Sequence, residues 1–327
     1  MREYRDYTYE SALAPYMRDF VSEGRSLGYI YEGKAYQLYR LDQYWLASGY
    51  DDINITPERL EDWICALPGE SRSSQTGRIG AAKSLAMYMN SLGISSYVPL
   101  ITVGVDHNKI HIMDNTERAE FFEAVDTYIP ATNNPADHRM ADEYPIMFRL
   151  YYCCGMRNNE VCSLRTADVD LEKGIITIID GKNQKDRLVY MPEDLRILVC
   201  SYFESLRSRL GYVPYWFFPG RYPEKHIHKS TIDAIFSKFW SLTAASAYCD
   251  KKPTPHSLRH GFVVDRINSW ILAGLDIEVM FVYLSKYLGH KDPDETFYYY
   301  HLAKEAFRIV RQKDTASPEV IPEVRRR

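Results

Sequence analysis

Apolar positions at helical spacing dominate the first hundred residues. Between residues 11 and 28 they follow the i, i+3, i+4, i+7, i+8 pattern of one helix face: Leu13, Tyr16, Met17, Phe20 and Val21. Gly28 then ends the pattern. The same reasoning predicts helices over about 35–48, 57–66 and 72–93, each with a proline or glycine signal at one end. Four helices in this length predict a small helical domain over residues 1–98.

The next segment interrupts the helical pattern. Residues 95–115 have no helical period and include Pro99 and Gly104, which indicates an extended linker. A chain of 327 residues is also long for one core, since domains average roughly 150 residues. We therefore predict two domains, joined by a linker over residues 99–113.

Beyond the linker, helical patterns surround one alternating pair of segments. Helices are predicted over about 116–129, 141–154, 192–210, 230–246, 257–273 and 276–288, with a short amphipathic helix in residues 156–164. Residues 175–179 and 187–191 are rich in β-branched and aliphatic side chains and flank a polar tip, which is typical of a β-hairpin. The predicted fold class is therefore α+β, mainly α with a small antiparallel β-sheet.

Composition narrows the class of protein. Hydrophobic residues make up 46% and charged residues 26%, which is ordinary for a globular protein with a sizeable core. No run approaches the roughly 20 apolar residues of a membrane span, and the charged first residues lack the apolar segment of a signal peptide. The six cysteines contain no CxxC pair and are expected to be reduced. We expect a cytoplasmic protein with no membrane partner.

Charge is distributed unevenly along the chain. The net charge is −4, yet residues 201–327 carry 19 basic and 14 acidic side chains, an excess of +5. This basic part is where a polyanion would bind. It also contains residues 254–260, Thr-Pro-His-Ser-Leu-Arg-His, in which His256 and Arg259 share a face near a helix start. Free backbone donors there favour an anion, although a capped surface helix fits this stretch equally well.

Three further stretches carry candidate chemistry. Glu160 follows Arg157 by three residues, where it could orient the guanidinium or form an ordinary helix ion pair. Lys182 lies at the hairpin tip, where a solvated lysine is common. In residues 287–301, His290 follows a glycine and Tyr299 comes nine residues later, a spacing that helix packing could also explain.

Together and in this order, the four stretches resemble the tyrosine recombinase, or lambda-type integrase, family. Its patterns run Gly-Leu-Arg-x-x-Glu, a Gly-Lys hairpin, His-x-Leu-Arg-His, and Leu-Gly-His with Tyr nine residues on. The resemblance covers residues 110–312 and implies a catalytic domain over 114–312, followed by a tail over 313–327. It further implies that residues 1–98 are the family's helical, SAM-like core-binding domain, which binds DNA.

The resemblance assigns roles to the residues that match. Cleaving a DNA phosphodiester without a metal requires a nucleophile, cations on the non-bridging oxygens and an acid for the leaving oxygen. Arg157 and Arg259 would supply the cations, because planar guanidinium forks suit phosphate oxygens. Glu160 would orient Arg157, and Lys182 would be the general acid. No cofactor and no metal is expected.

The remaining matches concern the nucleophile and its surroundings. Tyr299 would be the nucleophile that forms a 3′-phosphotyrosine, and His256 would handle protons near it. His290 would hydrogen-bond the scissile phosphate. His260 is assigned a structural role, and Tyr298 and Tyr300 are expected to be flanking helix residues.

The resemblance also implies partners. These are double-stranded DNA with inverted-repeat core sites, further copies of the chain in a tetramer on DNA, and partner recombinases. An apolar face after Tyr299, in residues 302–310, matches the terminal helix that docks into a neighbouring protomer in this family. The 30 residues between Arg259 and His290 exceed the usual spacing, as in the transposon-associated branch, which favours a mobile element. Xer-like chromosome-dimer resolution and a type IB topoisomerase-like role are alternatives.

Two other classes of protein stay open from the residues. One is a catalytically silent DNA-binding accessory subunit, which the presence of every catalytic position opposes. The other is a metal hydrolase that uses His256, His260, His290 and His301, but no HExxH glutamate accompanies these histidines.

Overall fold

The computed structural model describes residues 6–29, 31–100, 103–104, 110–179, 186–290, 292 and 294–303. Its contacts divide the chain into two compact units, Met1–Asn108 and Lys109–Arg327. The division falls within the segment expected as a linker. Each unit has hydrophobic cores of its own.

The first unit contains four helices in its described residues: α1 Ala14–Ser26, α2 Glu32–Ala47, α3 Pro57–Ile64 and α4 Arg72–Ser91. The Thr56 side chain caps α3 by accepting from the Arg59 amide, and Ser71 caps α4 in the same way. The apolar face predicted around α1, which includes Leu13 and Met17, is buried. It shares one core with residues of the other three helices: Leu38, Leu41, Trp45, Leu60, Leu85 and Met89. This burial explains why the helical spacing of the sequence was informative there.

The second unit surrounds a small sheet with helices. The described elements are α5 Asn115–Asp126, α6 Pro135–Cys154, α7 Asn158–Cys162, β1 Val169–Asp170, β2 Ile175–Ile178, β3 Arg187–Tyr190, α8 Glu193–Leu210, α9 Lys229–Trp240, α10 Pro255–Leu272, α11 Ile277–Leu288 and α12 Asp294–Phe297. Short 3₁₀ turns lie at Thr166–Asp168, Ala244–Ala247 and Tyr300–Leu302. The predicted fold class, mainly helical with a small antiparallel sheet, is confirmed.

Helix α6 is the central element of the second unit and packs against α8 and α10. It starts at Pro135, six residues before the predicted start, because Asn134 caps it and proline is tolerated in a first helical turn. The polar first turn carries no apolar period, so the sequence pattern missed it. Gly155 ends the helix in the left-handed conformation, with φ +62°.

The sheet has one strand more than the hairpin that the sequence predicted. Its order is β1-β2-β3, with Ile176 opposite Val169 on one side and opposite Val189 on the other. Strand β1 has two residues, which is too short for any alternation to be visible. The predicted helix over 230–246 is also shorter than expected, since α9 ends at Trp240 and a 3₁₀ turn follows.

A separate apolar cluster joins the last helices of the second unit. It combines α10, α11 and the segment after α12: Phe262, Val263, Val264, Ile267, Phe281, Leu284, Leu288, Tyr299 and Ala303. Tyr299 belongs to this cluster and is therefore packed against the helix that carries His256 and Arg259. Among the described helices, none is both long and apolar enough to cross a membrane.

Candidate active site

Three distant parts of the sequence meet at one place in the second unit. The start of α7 supplies Arg157, helix α10 supplies Arg259, and the end of α11 supplies His290. Tyr299 lies in the turn after α12. Arg259 is hydrogen-bonded to His290, Arg157 to the residue before His290, and Tyr299 to the residue after Arg259.

Arg259 is almost fully buried, with 1% of its surface exposed. Its guanidinium donates to the carbonyls of Gly155 and Leu288, and its Nη2 lies 3.2 Å from Nε2 of His290. Burial, and then the charge of Arg157, lower the pKa of Arg259 to about 10. The guanidinium therefore remains charged at neutral pH and is held rigidly by two main-chain oxygens.

Arg157 is held by an acidic residue that a second arginine also contacts. Its Nη1 donates to Glu160 at 3.0 Å, and its Nη2 donates to the carbonyl of Gly289 at 2.8 Å. Glu160 also accepts two hydrogen bonds from Arg187 on β3, at 2.7 and 2.6 Å. Burial acts to raise the pKa of Glu160, but the hydrogen bonds and charges of Arg187 and Arg157 outweigh it and lower the pKa to about 2. Glu160 is therefore ionised and fixes both guanidinium groups.

Two glycines allow these arginines to approach the main chain. Gly155 and Gly289 end α6 and α11 with φ of +62° and +64°. A Cβ at Gly155 would lie 2.6 Å from the Phe262 ring, and a Cβ at Gly289 would lie 3.3 Å from Nη1 of Arg157. Both positions therefore require glycine for conformation and for space.

His290 lies between Arg259 and a buried threonine. Its Nδ1 is 2.7 Å from Oγ1 of Thr296, and its Nε2 faces Nη2 of Arg259. A guanidinium can only donate, so Nε2 is the acceptor and the ring proton of the neutral imidazole is on Nδ1, from which it is donated to Thr296. The orientation of this histidine is thereby determined.

Tyr299 is 5% exposed, and its hydroxyl lies 2.7 Å from Nδ1 of His260. The two rings are tilted, with their centroids 5.3 Å apart. Burial raises the pKa of Tyr299 to about 12 although the charge of Arg259 acts in the opposite direction. The purely structural role assigned to His260 from the sequence is therefore incomplete, since His260 contacts the predicted nucleophile.

His256 lies one helical turn before His260 on α10. The two rings meet edge to face, with centroids 4.4 Å apart. Desolvation by the surrounding protein, and then the charge of Arg259, lower the pKa of His256 to about 4. With this pKa, His256 is neutral at neutral pH, and part of its side chain remains accessible to a bound substrate.

The turn that carries Tyr299 differs from the expected continuous helix. Helix α12 ends at Phe297, and from Tyr299 onward the amides bond three residues back, as in a 3₁₀ turn. Tyr298 and Tyr300 therefore do not lie on an α-helix. Lys182, the predicted general acid, lies outside the described residues, so its role stays a prediction.

Two residues of the site were missed or undervalued in the sequence. Arg187 lies in a strand, where the alternation of polar and apolar residues was enough to explain a polar side chain. Only the structure shows that it contacts Glu160. His260 had a visible signal, because it follows Arg259 directly and is four residues after His256. Within the described parts of the chain, no group of three or more His, Cys, Asp or Glu side chains is arranged to hold a metal ion.

The arrangement suits a tetrahedral anion attacked by a phenol oxygen. Two fixed guanidinium groups and the rings of three histidines, His256, His260 and His290, lie in the same part of the second unit as the buried Tyr299. Guanidinium groups bind phosphate oxygens through paired hydrogen bonds and neutralise charge that develops during phosphoryl transfer. The arrangement is therefore chemically able to bind a phosphate group near a tyrosine hydroxyl.

Comparison with known proteins gives the family. The sequence matches the phage integrase family over residues 115–306. The chain belongs to this family, that of the tyrosine recombinases, and the prediction made from the four motifs is confirmed. Its enzyme class is tyrosine-type site-specific recombinase, which breaks and rejoins DNA strands.

Named relatives and solved structures are similar over much of the chain. Tyrosine recombinase XerD of Neisseria meningitidis serogroup A is 28% identical over 252 residues, covering 72% of this chain and 75% of the relative. Tyrosine recombinase XerA of Pyrococcus furiosus is 30% identical over 151 residues, covering 46% and 47%.

Two solved structures share the fold. The integrase of transposon Tn1549 in complex with transposon right end DNA has a TM-score of 0.64 at 14% identity, covering 92% of this chain and 99% of that one. The XerH recombinase bound to palindromic difH, in a post-cleavage complex, has a TM-score of 0.61 at 20% identity, covering 86% and 78%. At these identities the likeness concerns the fold alone.

Proposed function

We propose that this chain cleaves and rejoins DNA at a specific site through a covalent bond between Tyr299 and a 3′-phosphate. The observation that carries the proposal is the placement of three consecutive tyrosines. Tyr299 is buried beside α10 with its hydroxyl on His260. Tyr298 is 44% exposed and contacts His301, and Tyr300 packs against Phe281. Of the three, Tyr299 is the one whose hydroxyl contacts α10, the helix that carries Arg259.

The proposed step balances as an in-line displacement. The phenol oxygen of Tyr299 attacks phosphorus, the bond between that oxygen and phosphorus forms, and the bond from phosphorus to the 5′-oxygen breaks. Arg157 and Arg259 bind the non-bridging oxygens, and Glu160 keeps Arg157 in position. Lys182 donates a proton to the leaving 5′-oxygen, and a 5′-hydroxyl from another strand later reverses the reaction.

His290 and His256 have separate roles at the same phosphate: His290 contacts the phosphate itself, and His256 acts on the nucleophile. When DNA enters, Nε2 of His290 leaves Arg259 and donates to the phosphate, which requires the ring proton to exchange from Nδ1 to Nε2. His256, accessible and neutral, handles the proton of the nucleophile. Because two arginines and a lysine provide the positive charge, the reaction is expected to proceed in the presence of a chelator.

A suicide substrate tests the nucleophile. Nicked duplexes carrying inverted repeats from the DNA that flanks the coding sequence would be incubated with the protein, and the covalent adduct would be measured on denaturing gels. We expect an adduct with the natural chain in EDTA and none with Tyr299→Phe, which still binds the duplex. Tyr298→Phe and Tyr300→Phe are matched controls that retain the adduct. An adduct with Tyr299→Phe, or one that requires Mg²⁺, would contradict the proposal.

We propose mobile-element integration as the biological role, on the basis of the long spacing between Arg259 and His290. The fold neighbours include a transposon integrase in complex with transposon end DNA. Xer-like chromosome-dimer resolution is the second candidate, because relatives named XerD match over 72% of this chain. A plasmid carrying the flanking repeats separates them: strand transfer into a second molecule supports integration, and resolution of a plasmid dimer supports the Xer-like role.

We also propose that the active assembly is a tetramer on DNA. The apolar segment 302–310 continues directly after the nucleophile, so docking in a neighbouring protomer would affect the orientation of Tyr299. Most of this segment lies outside the described residues. Truncation after Lys304 is expected to preserve binding to a half site and to abolish the tetrameric complex. A truncated chain that forms the same complex at the same concentration would show that the segment packs on its own domain.

A further inference from the structure

The strongest unassigned contact in the molecule is the hydrogen bond of the nucleophile. Among the described residues, the Tyr299 hydroxyl has one hydrogen-bond partner, Nδ1 of His260 at 2.7 Å. None of the roles above uses His260. The residue follows Arg259 directly, so one turn of α10 carries both the buried guanidinium and the imidazole that touches the nucleophile.

The direction of this hydrogen bond follows from burial. If Nδ1 donated to the phenol oxygen, the phenol proton would be left without an acceptor at a residue that is 5% exposed. If the phenol donates instead, its single proton is used and Nδ1 serves as the acceptor. His260 is then neutral with its ring proton on Nε2. Burial, and then the charges of His256 and Arg259, lower the pKa of His260 to about 3, in agreement with a neutral ring.

The same quantities separate positioning from proton transfer. Burial raises the pKa of Tyr299 and lowers the pKa of His260, so both shifts oppose transfer of the phenol proton to the imidazole. Proton transfer from Tyr299 to His260 is therefore strongly uphill in this state. The hydrogen bond keeps the proton on the phenol and fixes the oxygen in space.

The main chain around Tyr299 positions its Cα, but it leaves the direction of the hydroxyl to a side-chain hydrogen bond. The residue lies between a four-residue helix, α12, and a 3₁₀ turn of three residues, with φ −79° and ψ −14°. These short elements hold the Cα, but the hydroxyl lies at the end of a long side chain. A single acceptor on the rigid helix α10 determines where the oxygen points, and an error of about 1 Å in such a position can reduce a rate on the order of 100-fold.

We propose that His260 is a positioning residue for the nucleophile: its Nδ1 accepts the hydrogen bond of the Tyr299 hydroxyl and thereby aims the phenol oxygen at the phosphate held by Arg157 and Arg259. The proposal rests on the function proposed for Tyr299. It differs from a general-base role, which stays with His256, and from a purely packing role, in which the ring would matter only for its volume.

Two substitutions of nearly equal volume separate these roles. In His260→Asn the side-chain oxygen occupies approximately the place of Nδ1 and can still accept, whereas His260→Leu fills similar space without an acceptor. We expect His260→Leu to lower the rate of adduct formation on the nicked duplexes by about 10- to 100-fold, and His260→Asn to stay within about 3-fold of the natural chain. DNA affinity measured by gel shift should be the same for all three proteins, since no phosphate contact is removed.

The outcomes are distinguishable from failure of the proposed function. If the natural chain forms no adduct, the role of Tyr299 is at fault. If the natural chain forms the adduct and His260→Leu does so at the same rate, the inference about His260 is overturned. It is equally overturned if His260→Asn is as slow as His260→Leu while both remain folded, because an acceptor at this place would then not suffice.

A second measurement needs neither DNA nor a stable Leu variant. Long-range ¹⁵N–¹H spectra of the protein with labelled histidine report the tautomer of each of its nine histidines, and His260→Asn identifies the His260 signals. We expect the natural chain to show the Nε2–H tautomer at His260, and Tyr299→Phe to change the Nδ1 signal. An Nδ1–H tautomer in the natural chain would overturn the proposal.

Discussion

Glu160 accepts two hydrogen bonds from Arg187, at 2.7 and 2.6 Å, although the two residues lie 27 positions apart. The same carboxylate holds Arg157, and Arg187 also donates from Nε to the carbonyl of Tyr287 at 2.8 Å. Arg187 thereby joins the strand β3, the start of α7 and the end of α11. Arg187 contacts no substrate in the proposed reaction, yet it holds the carboxylate that positions Arg157.

Replacing this support should reduce both stability and activity. Arg187→Lys preserves the charge but loses the fork, so Glu160 accepts one hydrogen bond from residue 187 where it accepted two. We expect the free energy of unfolding to fall by about 1–3 kcal/mol and adduct formation by about 10-fold, since Arg157 loses its fixed partner. Denaturant unfolding and the suicide-substrate assay measure the two effects.

Arg196→Lys is the matched control for that change. Arg196 forms an equivalent fork with Glu193, at 2.8 and 2.6 Å, but the Glu193 side chain is 62% exposed. Solvent screens such pairs, so we expect no measurable loss of stability and normal cleavage. Equal effects of the two substitutions would show that the network around Glu160 has no special importance.

The low pKa of Glu160 predicts a loss of stability in acid. Its pKa of about 2 lies below the ordinary value of 4.5, so the ionised carboxylate contributes stability above about pH 4.5. This contribution is lost as the pH falls towards 2, and it amounts to on the order of 3 kcal/mol for this buried group. Unfolding free energies measured between pH 5 and pH 2 should therefore fall more steeply for the natural chain than for Glu160→Gln. Equal slopes would mean that Glu160 is not the titrating group.

Gly155 offers a test of how closely the helices around Arg259 are packed. An alanine there adopts φ +62° and meets the Phe262 ring at 2.6 Å, and the carbonyl of residue 155 accepts from Arg259. We expect a loss of about 2–5 kcal/mol, part from the left-handed conformation and part from the clash, together with reduced cleavage. Thermal and denaturant unfolding give the magnitude.

Gly211→Ala separates the two parts of that cost. Gly211 ends α8 with φ +76°, and a Cβ there has nothing within 4 Å. We expect about 1–2 kcal/mol from conformation alone and unchanged cleavage. If Gly155→Ala costs no more than Gly211→Ala, the close approach of Phe262 is unimportant for stability.

The sequence by itself determined the elements and the family. Helical spacing predicted the helices because their apolar faces are buried, as for Met17 and Val21 in α1. The residue identities also showed four motifs in an order that resembles tyrosine recombinases. A motif such as the one at His256 and Arg259 can be found this way because its residues are close together in the chain. Element ends were less exact, because the polar first turn of α6 and the two residues of β1 carry no periodic signal.

The tertiary structure decided which side chains meet. Arg157 donates to the carbonyl of residue 289, 132 positions away, and His260 contacts Tyr299, 39 positions away. Periodicity records which face of an element is buried, but it does not record which partner lies opposite that face. For this reason Arg187 looked like an ordinary strand residue and His260 like a packed histidine. The packing of β3, α10 and α11 around the candidate active site, which is a property of the folded chain, gives both residues their contacts.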